Sequence, residues 1–176
     1  TSIIVASILY GTQKIFTFAE TIDLIFKGIS GLIPLALLMM LAFAIGTVCR
    51  ELGTGIYTAE LSKQWLAPDF VPVIIFLVGC FIAFSTGTSW GTFAIMLPIG
   101  IPMAQALDAN LYLTVAAALG GGVFGDHCSP ISDTTIISSM ASASDHIDHV
   151  KTQLPYALTA GAITAVLYLI LGIIIH

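Results

Sequence analysis

Asp126 and Asp133 are the only formal charges between Ala109 and Ser144, a stretch otherwise built from apolar, glycine and hydroxyl residues. They stand in Phe124-Gly-Asp-His-Cys-Ser-Pro-Ile-Ser-Asp-Thr-Thr135, where Ser129, Ser132 and Thr134 add hydroxyl oxygens. Carboxylate and hydroxyl oxygens suit a hard cation such as Na+, by the logic that governs Ca2+ and Mg2+. The neighbouring glycines and Pro130 oppose a continuous helix and leave backbone carbonyls free to meet an ion. An Asp near the bilayer centre costs about 2.5–3.5 kcal/mol on insertion scales, so it persists where it is paired, solvated by a cavity or useful. This pattern predicts an ion site at Asp126 and Asp133 in an interrupted helix.

A carboxylate withdrawn from water is easier to protonate, and a bound cation opposes that protonation. One such group therefore accepts either a proton or a metal cation. Asp126 is the stronger candidate. Asp133 has a second reading, because Ser132 and Asp133 lie where a new helix starts and Asp often caps helices. His127 either relays a proton beside Asp126 or is a packed, hydrogen-bonded ring. A second hydroxyl- and glycine-rich break, Ser85-Thr-Gly-Thr-Ser-Trp-Gly-Thr92, offers Thr86, Thr88, Ser89 and Thr92 to the same cavity. Trp90 there either lines the site or fills a gap. Asp145-His-Ile-Asp-His149 invites a metal reading, but Lys151 beside it favours a solvated interfacial turn, with pH sensing as the alternative.

The elements that must hold these residues are apolar. The chain is 57% hydrophobic and 9% charged, against roughly 25% charged residues in soluble domains, and its mean hydropathy is +1.03. An all-α polytopic membrane protein follows. The alternating strand pattern of an outer-membrane barrel is absent. Residues 1–10 read as the end of a preceding helix, and the chain as a piece of a longer protein without a signal peptide. Residues 13–27 read as an amphipathic helix, with Ile15, Phe18, Ile22, Ile25 and Ile29 on one stripe and a pairing of Asp23 with Lys27. Residues 28–49 hold no charge and make a transmembrane helix of about 33 Å, with Pro34 in its first turns. Residues 52–67, with Tyr57, Glu60, Lys63 and Trp65, read as an interfacial helix.

Residues 70–107 are uncharged and too long for one crossing, so a re-entrant hairpin with its tip at Ser85–Thr92 is expected, with a tilted broken span as the rival. Its arms, Phe70–Phe84 and Phe93–Leu107, are 15 residues each, about 22 Å as helix. Residues 111–143 read as a broken transmembrane helix and 155–175 as a final crossing with Pro155 at its start. Two consecutive interrupted hydrophobic segments mark the binding region of a transporter. Cys49, Cys80 and Cys128 form no CxxC pair and read as apolar packers.

The 124–135 motif, with Ser138-Ser-Met-Ala-Ser142, the segment Asp145–Tyr156, and Thr88-Ser-Trp-Gly-Thr-Phe-Ala-Ile-Met-Leu-Pro98, resembles the NhaC-type Na+/H+ antiporters of the ion-transporter superfamily. The resemblance covers about Ser85–Tyr156. It implies one inverted repeat, residues 1–176, corresponding to the C-terminal half of a transporter. It also implies multi-pass residence in the cytoplasmic membrane and an N-terminal half as partner. The expected activity is secondary Na+/H+ exchange, with Na+ and H+ as cargo and no cofactor. The first rival is a Na+- or H+-coupled organic-acid or amino-acid exchanger of malate/lactate type, disfavoured because no Arg or Lys stands within the apolar segments to meet a substrate carboxylate. An intramembrane hydrolase is remote, since neither HExxH nor a nucleophile–base signature occurs. The lipid bilayer is the other expected partner and homo-oligomers stay open. Five Lys and Arg residues argue against nucleic acid.

Overall fold

The computed structural model describes residues 2–62 and 65–175, and every regular element among them is helical. Two compact units are resolved, Thr1–Met40 and Leu41–His176. Helices α1 (Ser2–Thr12), α2 (Phe18–Glu51), α3 (Thr54–Ser62), α4 (Val71–Thr86), α5 (Ser89–Leu107), α6 (Leu111–Cys128), α7 (Asp133–Ala141) and α8 (His146–Ile174) follow in order, with a 3-10 turn at Pro68–Phe70 before α4. Thr1, and Lys63 of the expected interfacial helix, lie outside the described residues.

In the first unit the start of α2 is fixed by a capping box. The Thr17 backbone N–H and hydroxyl both donate to Glu20 Oε2 at 2.8 Å, and Glu20 N–H returns to Thr17 Oγ1 at 3.3 Å. Asp23 and Lys27 form the expected i,i+4 pair at 2.7 Å. Residues 13–27 and 28–49 are not separate elements: α2 runs unbroken through their boundary. No proline stands between Phe18 and Gly28, and Gly28 alone is tolerated within a helix.

The second unit is organised around α4 and α6, which lie closest to each other. Gly79 faces Gly121, and Cβ atoms added to Gly121 and Gly125 would run into the carbonyls of Phe76 and Cys80. Small residues four apart, Gly121 and Gly125 on α6 and Gly79 and Ala83 on α4, let two backbones approach where lipid gives no hydrophobic drive for association. The core beside this seam contains Val71, Ile75, Phe76, Met96, Met103, Leu107, Ala117 and Ala118. The Phe76 ring meets Tyr168 of α8 at 5.2 Å and Phe124 at 6.1 Å. Pro98 and Pro102 lie inside α5, where the missing N–H groups loosen the ladder. Gly46 and Gly55 pack on that stretch, against Ala94 and Pro98 and against Ile99 and Pro102 respectively.

Among the described residues three helical stretches are long and apolar enough to cross a membrane: Pro68–Thr86, Ser89–Leu107 and His146–Ile174. The first two are longer than the arms expected from sequence, because the break between them shrinks to Gly87 and Thr88. Ser85 and Thr86 donate to the carbonyls of Phe81 and Ile82, and Thr92 to that of Thr88, each at 2.8 Å. Their hydroxyls are thereby satisfied within helix and need no loop. The final helix begins nine residues before Pro155, since Asp145 caps it by accepting from the N–H groups of Ile147 and Asp148. Pro155 then lies in the helix interior.

Candidate functional site

Helix α6 stops at Cys128 because Pro130 has no N–H to continue the ladder. The chain crosses Ser129–Ser132 and restarts as α7, with Ser132 as N-cap accepting from Thr135 N–H at 3.5 Å. Three bonds and one close hydroxyl–hydroxyl approach fold this interruption onto Asp126. The Ser132 hydroxyl donates to Asp126 Oδ1 at 2.8 Å, and Thr134 Oγ1 donates to Oδ2 at 3.2 Å. Ser132 Oγ and Thr134 Oγ1 are themselves 2.7 Å apart. Ser129 N–H donates to the Asp126 carbonyl at 3.1 Å, closing the last turn of α6.

Asp126 is 6% exposed and Ser132 is fully buried. Both carboxylate oxygens thus face hydroxyls, which can also turn a lone pair towards a cation. The final carbonyls of α6 add negative partial charge at the same place. Among the described residues no three His, Cys, Asp or Glu side chains gather for a metal. The cluster at Asp126 consists instead of one carboxylate and the hydroxyls of Ser132 and Thr134.

The remaining candidates lie around this cluster. Ser129 turns away from Asp126 and donates to the Phe84 carbonyl on α4 at 2.7 Å. Asp133 is exposed at the first position of α7, and its Oδ1 accepts from Thr134 N–H at 2.8 Å. The His127 side chain is exposed, while its carbonyl accepts from Gln153 Nε2 at 3.0 Å.

At the other break Gly87 is left-handed at φ 67° and rests against Ile131, so the two interruptions meet. Thr88 caps α5 through Gly91 N–H at 3.4 Å. Thr92 is buried, Thr86 and Trp90 are exposed, and Ser89 is half-buried. Trp90 stacks edge-on with Phe93, whose ring covers Gly122.

The description "Na+/H+ antiporter family" matches residues 1–173. The chain belongs to that family. An uncharacterized protein of Haemophilus influenzae is 41% identical over 172 residues, 97% of this chain and 33% of its own length. The malate-2H+/Na+-lactate antiporter of Bacillus subtilis is 29% identical, over 94% of this chain and 36% of that protein. The Na+/H+ antiporter NhaC of Alkalihalophilus pseudofirmus is 29% identical, over 81% and 30%. The chain therefore spans about a third of the length of the curated relatives it matches. No solved structure matches it.

Three features of this region differ in how far the sequence signals them. The Gly121-x-x-x-Gly125 spacing was a visible packing signal. The grip of Gln153 on the His127 carbonyl, and of His146 on that of Pro130 at 2.7 Å, carried none. Nor did the pairing of Ser129 with Phe84, 45 residues away.

Proposed function

We propose that the complete protein exchanges Na+ for H+ across the cytoplasmic membrane, with Asp126 as the carboxyl group that both cations share. One observation carries the reading: a buried carboxylate whose two oxygens each meet a hydroxyl at a helix interruption. With a proton on Asp126 the hydroxyls of Ser132 and Thr134 complete a neutral hydrogen-bonded cluster. With Na+ they rotate to present oxygen, and the ion's charge holds Asp126 ionised. Both forms are close to electroneutral, which lets either cross a low-dielectric barrier at reduced cost. Asp133, at the mouth of the same break, attracts the cation from water.

In this reading α4, Gly87 and α5 form a re-entrant hairpin, and α6 with α7 one discontinuous span. The two breaks then lie together within the membrane, as in transporters built from broken helices. The part of the protein beyond this chain supplies the opposing wall. A second reading, Na+- and proton-coupled exchange of small organic acids, is favoured by the likeness to the malate-2H+/Na+-lactate antiporter of Bacillus subtilis. An exposed Asp133 at the α7 N-terminus works against an anion there.

Proton flux in proteoliposomes holding the complete protein, pulsed with NaCl, KCl, malate or lactate, separates the two. Na+ alone is expected to drive flux in the wild type, and Asp126→Asn to abolish it. Flux driven by malate or lactate but not by Na+ alone moves the assignment to organic-acid exchange. Na+-driven flux surviving in Asp126→Asn removes Asp126 from the mechanism.

A further inference from the structure

We infer that His146 and Gln153 of α8 are positioning residues that clamp the α6–α7 interruption by its backbone and so present Ser132 and Thr134 to Asp126. This deepens, and rests on, the assignment of Asp126 as the exchanging carboxyl.

The two residues are seven apart, two helical turns, so they share one face of α8 about 10.5 Å from one to the other. His146 Nε2 lies 2.7 Å from the Pro130 carbonyl oxygen. A carbonyl only accepts, so Nε2 carries the proton. Gln153 Nε2 donates to the carbonyl of His127 at 3.0 Å. These two acceptors bracket Cys128 and Ser129, where the helical ladder fails and carbonyls lose their i+4 donors.

The ring of His146 is oriented from its other side. Nδ1 lies 3.1 Å from the hydroxyl oxygen of Ser139, a buried residue of α7; with Nε2 protonated, Nδ1 accepts when the single Ser139 proton turns to it rather than to the Ile136 carbonyl at 2.8 Å. The cap at Asp145 fixes where α8 begins, and with it the height of His146. The interruption is therefore pinned from two sides. α4 holds it through Ser129 and the Phe84 carbonyl, and α8 through Pro130 and His127.

Residues 129–132 have no helix of their own to fix them. The Ser132 hydroxyl reaches Asp126 across six residues and that of Thr134 across eight. Those bonds form only while the segment between is held. Release of the α8 grip lets the two hydroxyls drift from the carboxylate, which weakens the Na+ form while leaving the carboxyl group present. The expected signature is a raised Na+ requirement with the maximal rate retained, whereas loss of Asp126 removes exchange altogether.

The complete protein in lipid nanodiscs and proteoliposomes tests this with His146→Leu, His146→Gln, Gln153→Leu and Asp126→Asn. Hydrogen exchange of the peptide spanning 128–136 reads the clamp without reference to transport. It should accelerate in His146→Leu and Gln153→Leu and return towards wild type in His146→Gln, whose amide N–H can reach Pro130. Na+-driven proton flux should show the NaCl concentration for half-maximal rate raised about threefold to tenfold in the two Leu variants, with His146→Gln closer to wild type. Wild-type hydrogen exchange in both Leu variants overturns the clamp. So does accelerated exchange with an unchanged Na+ requirement. Exchange activity surviving in Asp126→Asn while the 128–136 amides still respond to His146→Leu overturns the Asp126 assignment and leaves the mechanical clamp standing. Gln153→Leu keeps the test decisive where His146→Leu fails to fold.

Discussion

Gly87 faces Ile131 so closely that a Cβ on Gly87 would stand 2.8 Å from the Ile131 carbonyl oxygen. The two interruptions, in sequence 44 residues apart at this contact, are thus a single backbone-to-backbone junction. Gly87 is also left-handed, where a side chain costs about 1–2 kcal/mol. Gly87→Ala should lower stability by more than that figure, since the added methyl must also displace Ile131. Thermal melting of the complete protein in detergent measures it. Gly87→Asn separates the two contributions, because Asn tolerates the left-handed region yet brings the same Cβ. A Gly87→Asn variant as stable as wild type would mean the Ile131 contact is easily relaxed.

The hydroxyls around Asp126 are unequal, and so should be their effects on Na+ dependence. Ser132 is buried and bonds at 2.8 Å, while Thr134 is an exposed residue bonding at 3.2 Å. Ser132→Ala is expected to raise the half-maximal NaCl concentration about tenfold, and Thr134→Ala about threefold, from net hydrogen-bond contributions of about 0.5–1.5 kcal/mol. The reverse order in Na+-driven proton flux would show that the cation lies on the Thr134 side.

Asp133 should behave differently, because its charge is exposed. Asp133→Asn is expected to slow flux at low ionic strength and to match wild type once choline chloride screens the surface. A loss that persists at high choline chloride would place Asp133 in the exchange step itself.

The glycines of α6 differ in what faces them, Gly125 meeting α4 and Gly122 meeting α5. At Gly125 a Cβ would meet the backbone of Cys80 and Phe84 and the Ala83 methyl, while at Gly122 the nearest atoms all belong to the Phe93 ring, a side chain that can yield. Gly125→Ala should therefore destabilise by about 1–3 kcal/mol, as overpacking against an unyielding wall does, and Gly122→Ala by less. Melting temperatures of the two variants, compared in one detergent, check the order. Equal losses would mean that α4 and α6 shift apart without difficulty.

What was legible in the sequence follows from how much each signal depends on distant residues. The α6–α7 break announced itself through Pro130 and two acids in an uncharged run, all local features. The α4–α5 break is narrower than its composition suggests, because serine and threonine read as loop in water. Within an apolar helix they bond back to the preceding turn, as Ser85, Thr86 and Thr92 do. Proline favours helix starts and points to Pro155 for α8, whereas the Asp145 cap decides where the helix begins. Pairings such as Ser129 with Phe84 or His146 with Pro130 join residues 45 and 16 apart. No periodicity reports them, since they depend on how the helices pack.

In the first unit, the capping box at Thr17 and Glu20 predicts a local response to acid. The Thr17 backbone N–H, and then its hydroxyl, hold the Glu20 carboxyl below its ordinary value of 4.5. A group held lower in the folded chain stabilises it above the unfolded value, and that contribution disappears as pH falls through the folded one. The start of α2 should therefore be fully capped at neutral pH and fray as the pH drops below 4.5. Protonated Glu20 accepts the two Thr17 bonds poorly and no longer complements the positive end of the helix. Hydrogen exchange around Thr17–Thr21, corrected for the intrinsic pH dependence of the amides, should accelerate in that acid range for the wild type. Glu20→Gln should show the faster exchange at neutral pH and little further change on acidification. A wild-type helix start equally protected at either pH would show that the cap at Thr17 holds without the Glu20 charge.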